Sequence, residues 1–257
     1  MTAPIITGAE PWSHRGGTHG VLVLHGFTGN PQSMRPLAEA VAAAGFTVDL
    51  PLFPGHGTAV EDMVPTRWDD WSAAAEAAYQ GLAGRCDKVV VTGLSMGGTL
   101  SCWLAEHHPE IDGIAVVNPL VDPPPAEFTD GIRALIDAGT EVIDGIGSDI
   151  AKDGSTEAAY PRTPLAAALS LFEGVATVAP HLGDIHCPTL LLSSRQDHVV
   201  DPVSGDMLAA GVAGPIERVH LENSYHVATL DNDAPLIEQK VVDFVIKVMG
   251  GTGTAPS

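Results

Sequence analysis

Six short runs rich in valine, isoleucine and leucine recur along the chain: GVLVLHG (20–26), FTVDLPLF (46–53), KVVVTG (88–93), GIAVVNPL (113–120), PTLLLSS (188–194) and IERVHLE (216–222). The middle runs are almost continuously apolar, as only strands buried on both faces can be. Between them stand patterns of helical period. SMRPLAEAVAAAG (33–45) ends in a stopping glycine, DDWSAAAEAAYQGLAG (69–84) opens on acidic residues, and GTLSCWLAEHHP (98–109) stops at a proline. Strands alternating with helices predict an α/β fold, a mostly parallel sheet covered on both faces. At 257 residues, with 45 % hydrophobic and 17 % charged, the chain can bury one large core.

The alternation lapses between residues 121 and 184. A proline run, DPPPAEF (122–128), leads into DGIRALIDAGTEVIDGIGSDI (130–150) and PLAAALSLFEGVATVAP (164–180), which read as short helices with no strand among them. That length is excessive for a plain connection and too apolar for disorder, so it reads as an inserted cap. The core is then 1–120 with 185–250, and 251–257, made of small polar residues, is expected to be unstructured.

Twelve basic residues against 32 acidic ones give a formal net charge of −20, which repels phosphate backbones and anionic headgroups and argues against a nucleic-acid partner. Cys86, Cys102 and Cys187 are odd in number and widely spaced, as reduced thiols are. No stretch reaches roughly 18 consecutive apolar residues, and the N-terminus lacks a signal pattern. These features predict a cytoplasmic, soluble protein with no integral membrane segment; they leave the oligomeric state open.

Gly93-Leu94-Ser95-Met96-Gly97 fits GxSxG between an apolar strand and a helix. A nucleophile elbow needs that placement, because its serine sits on a sharp turn whose neighbours must be small for strand and helix to pack. A serine hydroxyl also needs a base, and the base needs a carboxylate to fix its tautomer. In chain order these come after the serine, at the ends of later strands. Asp197 follows the penultimate strand and His226 the last. Asp201 shares the loop with Asp197 but precedes Pro202, which suits a helix start. His198 precedes the final strand and is out of order as the base; His25, His56, His107 and His108 precede the acid and read as structural or surface residues. An oxyanion hole is expected from the amides of Met96 and of Phe27, in LVLHGFTGN (22–30). GIGSDI lacks the full dinucleotide fingerprint and the histidines are scattered, so neither a cofactor nor a metal is expected.

LVLHGFTG, PGHG, GLSMGG, SSRQDHVV and ENSYHVATLDND together resemble bacterial serine carboxylesterases of the α/β-hydrolase fold, most closely their monoacylglycerol lipases. The likeness spans Val21 to Val248, and GIGSDI, AYPRTP and SYHVATLDND tie it to that subgroup. It implies a Ser95–His226–Asp197 triad, an oxyanion hole at Phe27 and Met96, and a small cap over an apolar acyl pocket, with Glu157, Ile146 and Asn118 as substrate contacts. GIRALIDAGTEVIDGIG (131–147) departs most from the pattern. The expected activity is hydrolysis of carboxylic esters, foremost monoacylglycerols to fatty acid and glycerol, through an acyl-enzyme; the alternatives are carboxylester, thioester or carbon–carbon hydrolysis of a different small acyl substrate on the same scaffold, or a non-catalytic ligand receptor.

Overall fold

A computed structural model describes residues 3–251. Its main sheet contains β1 (Trp12–His14), β2 (His19–Leu24), β3 (Thr47–Leu50), β4 (Lys88–Leu94), β5 (Gly113–Val117), β8 (Thr189–Ser194) and β9 (Ile216–Leu221), in the order β1-β3-β2-β4-β5-β8-β9. Only β1 runs antiparallel to its neighbour; the other pairs are parallel. Continuous apolarity has a direct cause here. Val89 and Val91 of β4, Ile114 and Val116 of β5 and Leu191 of β8 enter one core cluster, while Val90, Ala115, Val117, Leu190 and Leu192 enter the other. Successive side chains of a strand point to opposite faces, and both faces are covered.

Helices α1 (Arg35–Ala43) and α8 (Ala234–Met249) bury Leu37, Val41, Ile237 and Phe244 on one face. On the other lie α3 (Trp68–Ala83), α4 (Met96–His107) and α6 (Leu165–Val178). The acidic start of α3 is a cap: Asp70 accepts the Arg67 amide at 2.9 Å. The segment Leu165–Asp184 is long and apolar enough by composition to cross a membrane. Its first part, α6, is nonetheless a core helix, packed so closely that a Cβ on Gly174 would strike the Trp68 ring.

Between β5 and β8 the chain forms α5 (Ala126–Asp137), then β6 (Val142–Asp144) and β7 (Arg162–Pro164), before α6. The sequence reading of this stretch as strandless is corrected: β6 and β7 pair antiparallel, extended by Leu165 N–H to Glu141 O and Gly145 N–H to Pro161 O. Three-residue strands carry too little alternation to be read locally, and this pairing spans the loop between them. The segment leaves Phe128, Leu135, Ile143 and Ile146 exposed. The expectation of an unstructured tail falls, beyond residue 251, outside the described residues.

Candidate active site

In a parallel sheet the loops that follow the strands gather at one edge, and the functional candidates lie there. Three non-glycine residues among those described have positive φ: Thr28 at 60°, Ser95 at 55° and Asn118 at 44°. They lie in the loops after β2, β4 and β5. Strained backbone of this kind persists only where its surroundings enforce it.

Ser95 is the residue between β4 and α4, with φ 55° and ψ −119°. Its N–H donates to Val117 O at 3.0 Å, and its carbonyl accepts from Thr99 N–H at 3.0 Å, so strand and helix both pin the turn. A Cβ on Gly93 would run into the Gly97 backbone, and one on Gly97 into the Leu24 backbone. The glycines of the motif are therefore a steric requirement of the elbow. Within β4 and the start of α4, Ser95 is flanked by buried residues and is itself only partly buried, opening onto a cavity.

The loop after β2 approaches the elbow from the other side: a Cβ on Gly26 would lie 3.5 Å from Ser95 Cβ. Among the described residues, the amides of Phe27 and Met96 have no hydrogen-bond partner outside regular secondary structure. The loop rests on buried imidazoles. His25 Nε2 accepts the Phe53 amide at 3.2 Å, which assigns the ring proton to Nδ1, 2.9 Å from Gly26 O. His56 Nδ1 lies 3.0 Å from Pro54 O, and its ring meets His25, Phe27, Phe53 and Trp71. Burial, then the neighbouring His56, hold His25 well below the ordinary histidine range. Burial likewise pushes His56 down from 6.5 to about 4.

That depression sets a pH dependence. Between about 4 and 6.5 the unfolded chain binds a proton at His56 that the folded protein refuses, so the stability it contributes is complete above 6.5 and is lost as pH falls toward 4. The full loss is about 3 kcal/mol from this ring. Urea unfolding at pH 7 and pH 4.5 is expected to show it, and His56→Gln to remove its share of the slope. An unchanged slope in the variant contradicts this assignment.

Asp197 and His226 meet as the strand order suggested. His226 Nδ1 lies 2.8 Å from Asp197 Oδ2, with the two side chains 8 % and 2 % exposed. Asp197 Oδ1 accepts the amides of Val199 and Val200 at 2.9 and 2.8 Å. Asp201 instead caps the start of α7 (Val203–Gly211) by accepting the Val203 amide at 2.9 Å. His198 turns away to Asp149.

Ser95 and His226 line one cavity of about 250 Å³, walled by apolar side chains that include Leu120, Leu171 and Phe172. Glu157 and Ile146 line it as well; Ile146 is 71 % exposed. The Glu157 carboxyl presses on Gly29, where a Cβ would fall 2.6 Å from Oε1. Burial raises its pKa, opposed by the charge of His226 and a hydrogen bond from Ser33. Asn118 is placed differently from its expected role, behind the cavity wall. Its amide donates to Ser194 Oγ at 3.0 Å and His226 O at 2.8 Å, and its Oδ1 accepts Ser194 N–H at 2.7 Å. With those groups committed, Asn118 braces the loop of His226 rather than facing the cavity.

Two residues escaped the sequence reading. Asp149, which lines the cavity, accepts the amides of His198 and His226, and Asp231, fully buried, accepts those of Ala151, Lys152 and Tyr225. Their partners are mostly 49 to 80 residues distant; they lie within GIGSDI and SYHVATLDND, but nothing in those stretches points to these contacts.

The sequence from residue 21 to 239 matches the model of the alpha/beta hydrolase family, and the chain belongs to that family. It is 47 % identical over 251 residues to a thermostable monoacylglycerol lipase of Bacillus sp. (strain H-257), covering 96 % of this chain and 98 % of the relative. A carboxylesterase of Bacillus subtilis (strain 168) is 27 % identical over 241 residues, 93 % of this chain and 97 % of its own. A solved metagenome-derived lipolytic enzyme superposes with a TM-score of 0.91 at 43 % identity, covering 95 % of this chain and all of its own. Nearly full-length similarity to a lipase and an esterase places the chain among the family's carboxylic ester hydrolases.

Proposed function

We propose that this ester hydrolase cleaves monoacylglycerols to fatty acid and glycerol through an acyl-enzyme on Ser95. The observation that carries the reading is the buried Asp197–His226 pair, which opens with Ser95 into one apolar cavity. Asp197 occupies Nδ1 of the imidazole and leaves Nε2 as the base. Ser95 Oγ attacks the ester carbonyl and gives its proton to His226; the amides of Phe27 and Met96 receive the oxyanion, and the imidazolium returns the proton to the leaving glycerol oxygen. Water, deprotonated by the same ring, then releases the acid.

The apolar wall at Leu120, Leu171 and Phe172 suits an acyl chain, and Glu157, with Ile146 at the rim, suits the glycerol head. Of the inserted residues 121–184, those ahead of α6 serve as the cap, while α6 itself packs into the core. The free thiols of Cys86, Cys102 and Cys187 fit a cytoplasmic setting, and the charge of −20 fits a neutral lipid rather than nucleic acid.

Rates on a monoacylglycerol and on p-nitrophenyl butyrate test this reading, because only the first has a glycerol head. Glu157→Leu is expected to lower kcat/KM for the monoacylglycerol roughly 10- to 100-fold, the worth of a hydrogen bond to a charged group, with little change for the chromogenic ester. Equal losses on both contradict the head-group assignment, and a native enzyme inert toward monoacylglycerols contradicts the substrate.

A further inference from the structure

The carboxylate of Asp149 reaches from the segment between β6 and β7 to the loops that follow the neighbouring strands β8 and β9, bridging them beyond the last paired residues, Ser194 and Leu221. Its Oδ2 accepts the main-chain N–H of His226 at 3.0 Å and that of His198, the neighbour of Asp197, at 3.1 Å. Its Oδ1 lies 2.8 Å from His198 Nδ1, and its own carbonyl accepts the Val227 amide at 3.1 Å. One carboxyl group thus grips the backbone of the base and of the residue beside the acid.

Resting on the reading of Ser95, Asp197 and His226 given above, we infer that Asp149 is a positioning residue: it fixes the spacing of the Asp197–His226 pair from the inserted segment. A clamp must itself be anchored. Asp231 supplies the anchor, accepting the amides of Ala151 and Lys152 at 2.7 and 2.8 Å from one side and of Tyr225 at 2.8 Å from the other. Ser155 Oγ adds a bond to Leu230 O at 2.9 Å. The segment carrying Asp149 is therefore held in register with the loop that Asp149 grips. Asp149 stays ionised: burial raises its pKa, but the His198 ring and the two amides outweigh burial and hold it below the ordinary carboxylate value. Ionised oxygens make the stronger acceptors.

The test separates positioning from mere support. With active sites counted by an organophosphonate titrant, Asp149→Ala is expected to lose about 100-fold in kcat with KM within about twofold, the cost of misplacing reacting groups by about an ångström. The far-downfield proton resonance of the Asp197–His226 hydrogen bond should vanish with it. Asp149→Asn, whose amide oxygen can still accept both N–H groups, should recover to within about fivefold and keep the resonance. Asp149→Glu keeps the charge but shifts the oxygens by a methylene, and should lose about tenfold in kcat at native KM; it stands in if the alanine variant does not fold. A kcat in the alanine or glutamate variant within about threefold of native, or an asparagine variant as impaired as alanine, overturns the inference. Ser95→Ala, run beside them, isolates the parent reading: if it still hydrolyses ester, that reading fails, and if it is inert while Asp149→Ala is unaffected, only the clamp fails.

Discussion

Replacing Ser95 by alanine is expected to lower kcat/KM by roughly 10⁵- to 10⁶-fold on any ester the protein hydrolyses, with folding and substrate binding retained. The size of the effect follows from what stays behind. Alanine keeps the Cβ and lacks only Oγ, so the elbow, with its N–H hydrogen bond to Val117 O and the close contacts at Gly93 and Gly97, is preserved. The amides of Phe27 and Met96, the proposed oxyanion hole, and the apolar cavity also remain, and are expected still to bind ester and polarise its carbonyl. They have no nucleophile to assist. Steady-state rates measured with the purified variant, alongside its urea midpoint, check both halves of this expectation.

The second large effect is expected at Asp197→Asn, about 10⁴-fold in kcat, although the change is isosteric. Oδ1 of Asp197 faces two main-chain N–H groups, of Val199 and Val200, and both demand an acceptor. An asparagine therefore turns its oxygen to them and its NH₂ to His226 Nδ1. The ring must then accept at Nδ1 and carry its proton on Nε2, the wrong tautomer to take a proton from Ser95. Loss of the carboxylate also leaves the imidazolium without its partner at 2.8 Å. A rate within about tenfold of native would mean that Asp197 does not set the tautomer.

The parts of this molecule legible from its sequence are those whose cause is local. The elbow can be read because the close approach of Gly93 to Gly97, and of Gly97 to Leu24, admits no side chain, and so stamps a spacing on consecutive residues. Asp197 and His226 can be read because a parallel sheet delivers strand ends to one edge, and each follows a recognisable apolar run. The helix α3 announces itself by Asp69 and Asp70 in its first turn.

What escaped depends on distant partners. β6 and β7 are three residues each, and only their mutual pairing across some twenty residues makes them strands. Asn118 carries a residue type suited to substrate, yet its hydrogen bonds run to Ser194 and His226, 76 and 108 residues away. Asp149 and Asp231 look like ordinary acids in a chain with 32 of them. Their roles arise only when the inserted segment lies against the final loops, a placement set by tertiary contacts with no periodic trace. The same limit applies to His56, which the sequence marks only as a structural or surface histidine but whose pKa is depressed by burial, among rings that include Phe27 and Trp71.

The central claim is that ester cleavage passes through a covalent bond to one particular serine. Acid-quenching the enzyme during turnover of a slowly released ester, followed by mass spectrometry of its peptides, examines that bond itself. An added acyl mass on the peptide containing Ser95, absent from Ser95→Ala, is the predicted result. Continued hydrolysis with no acylated peptide, or with the acyl group on another residue, would contradict it.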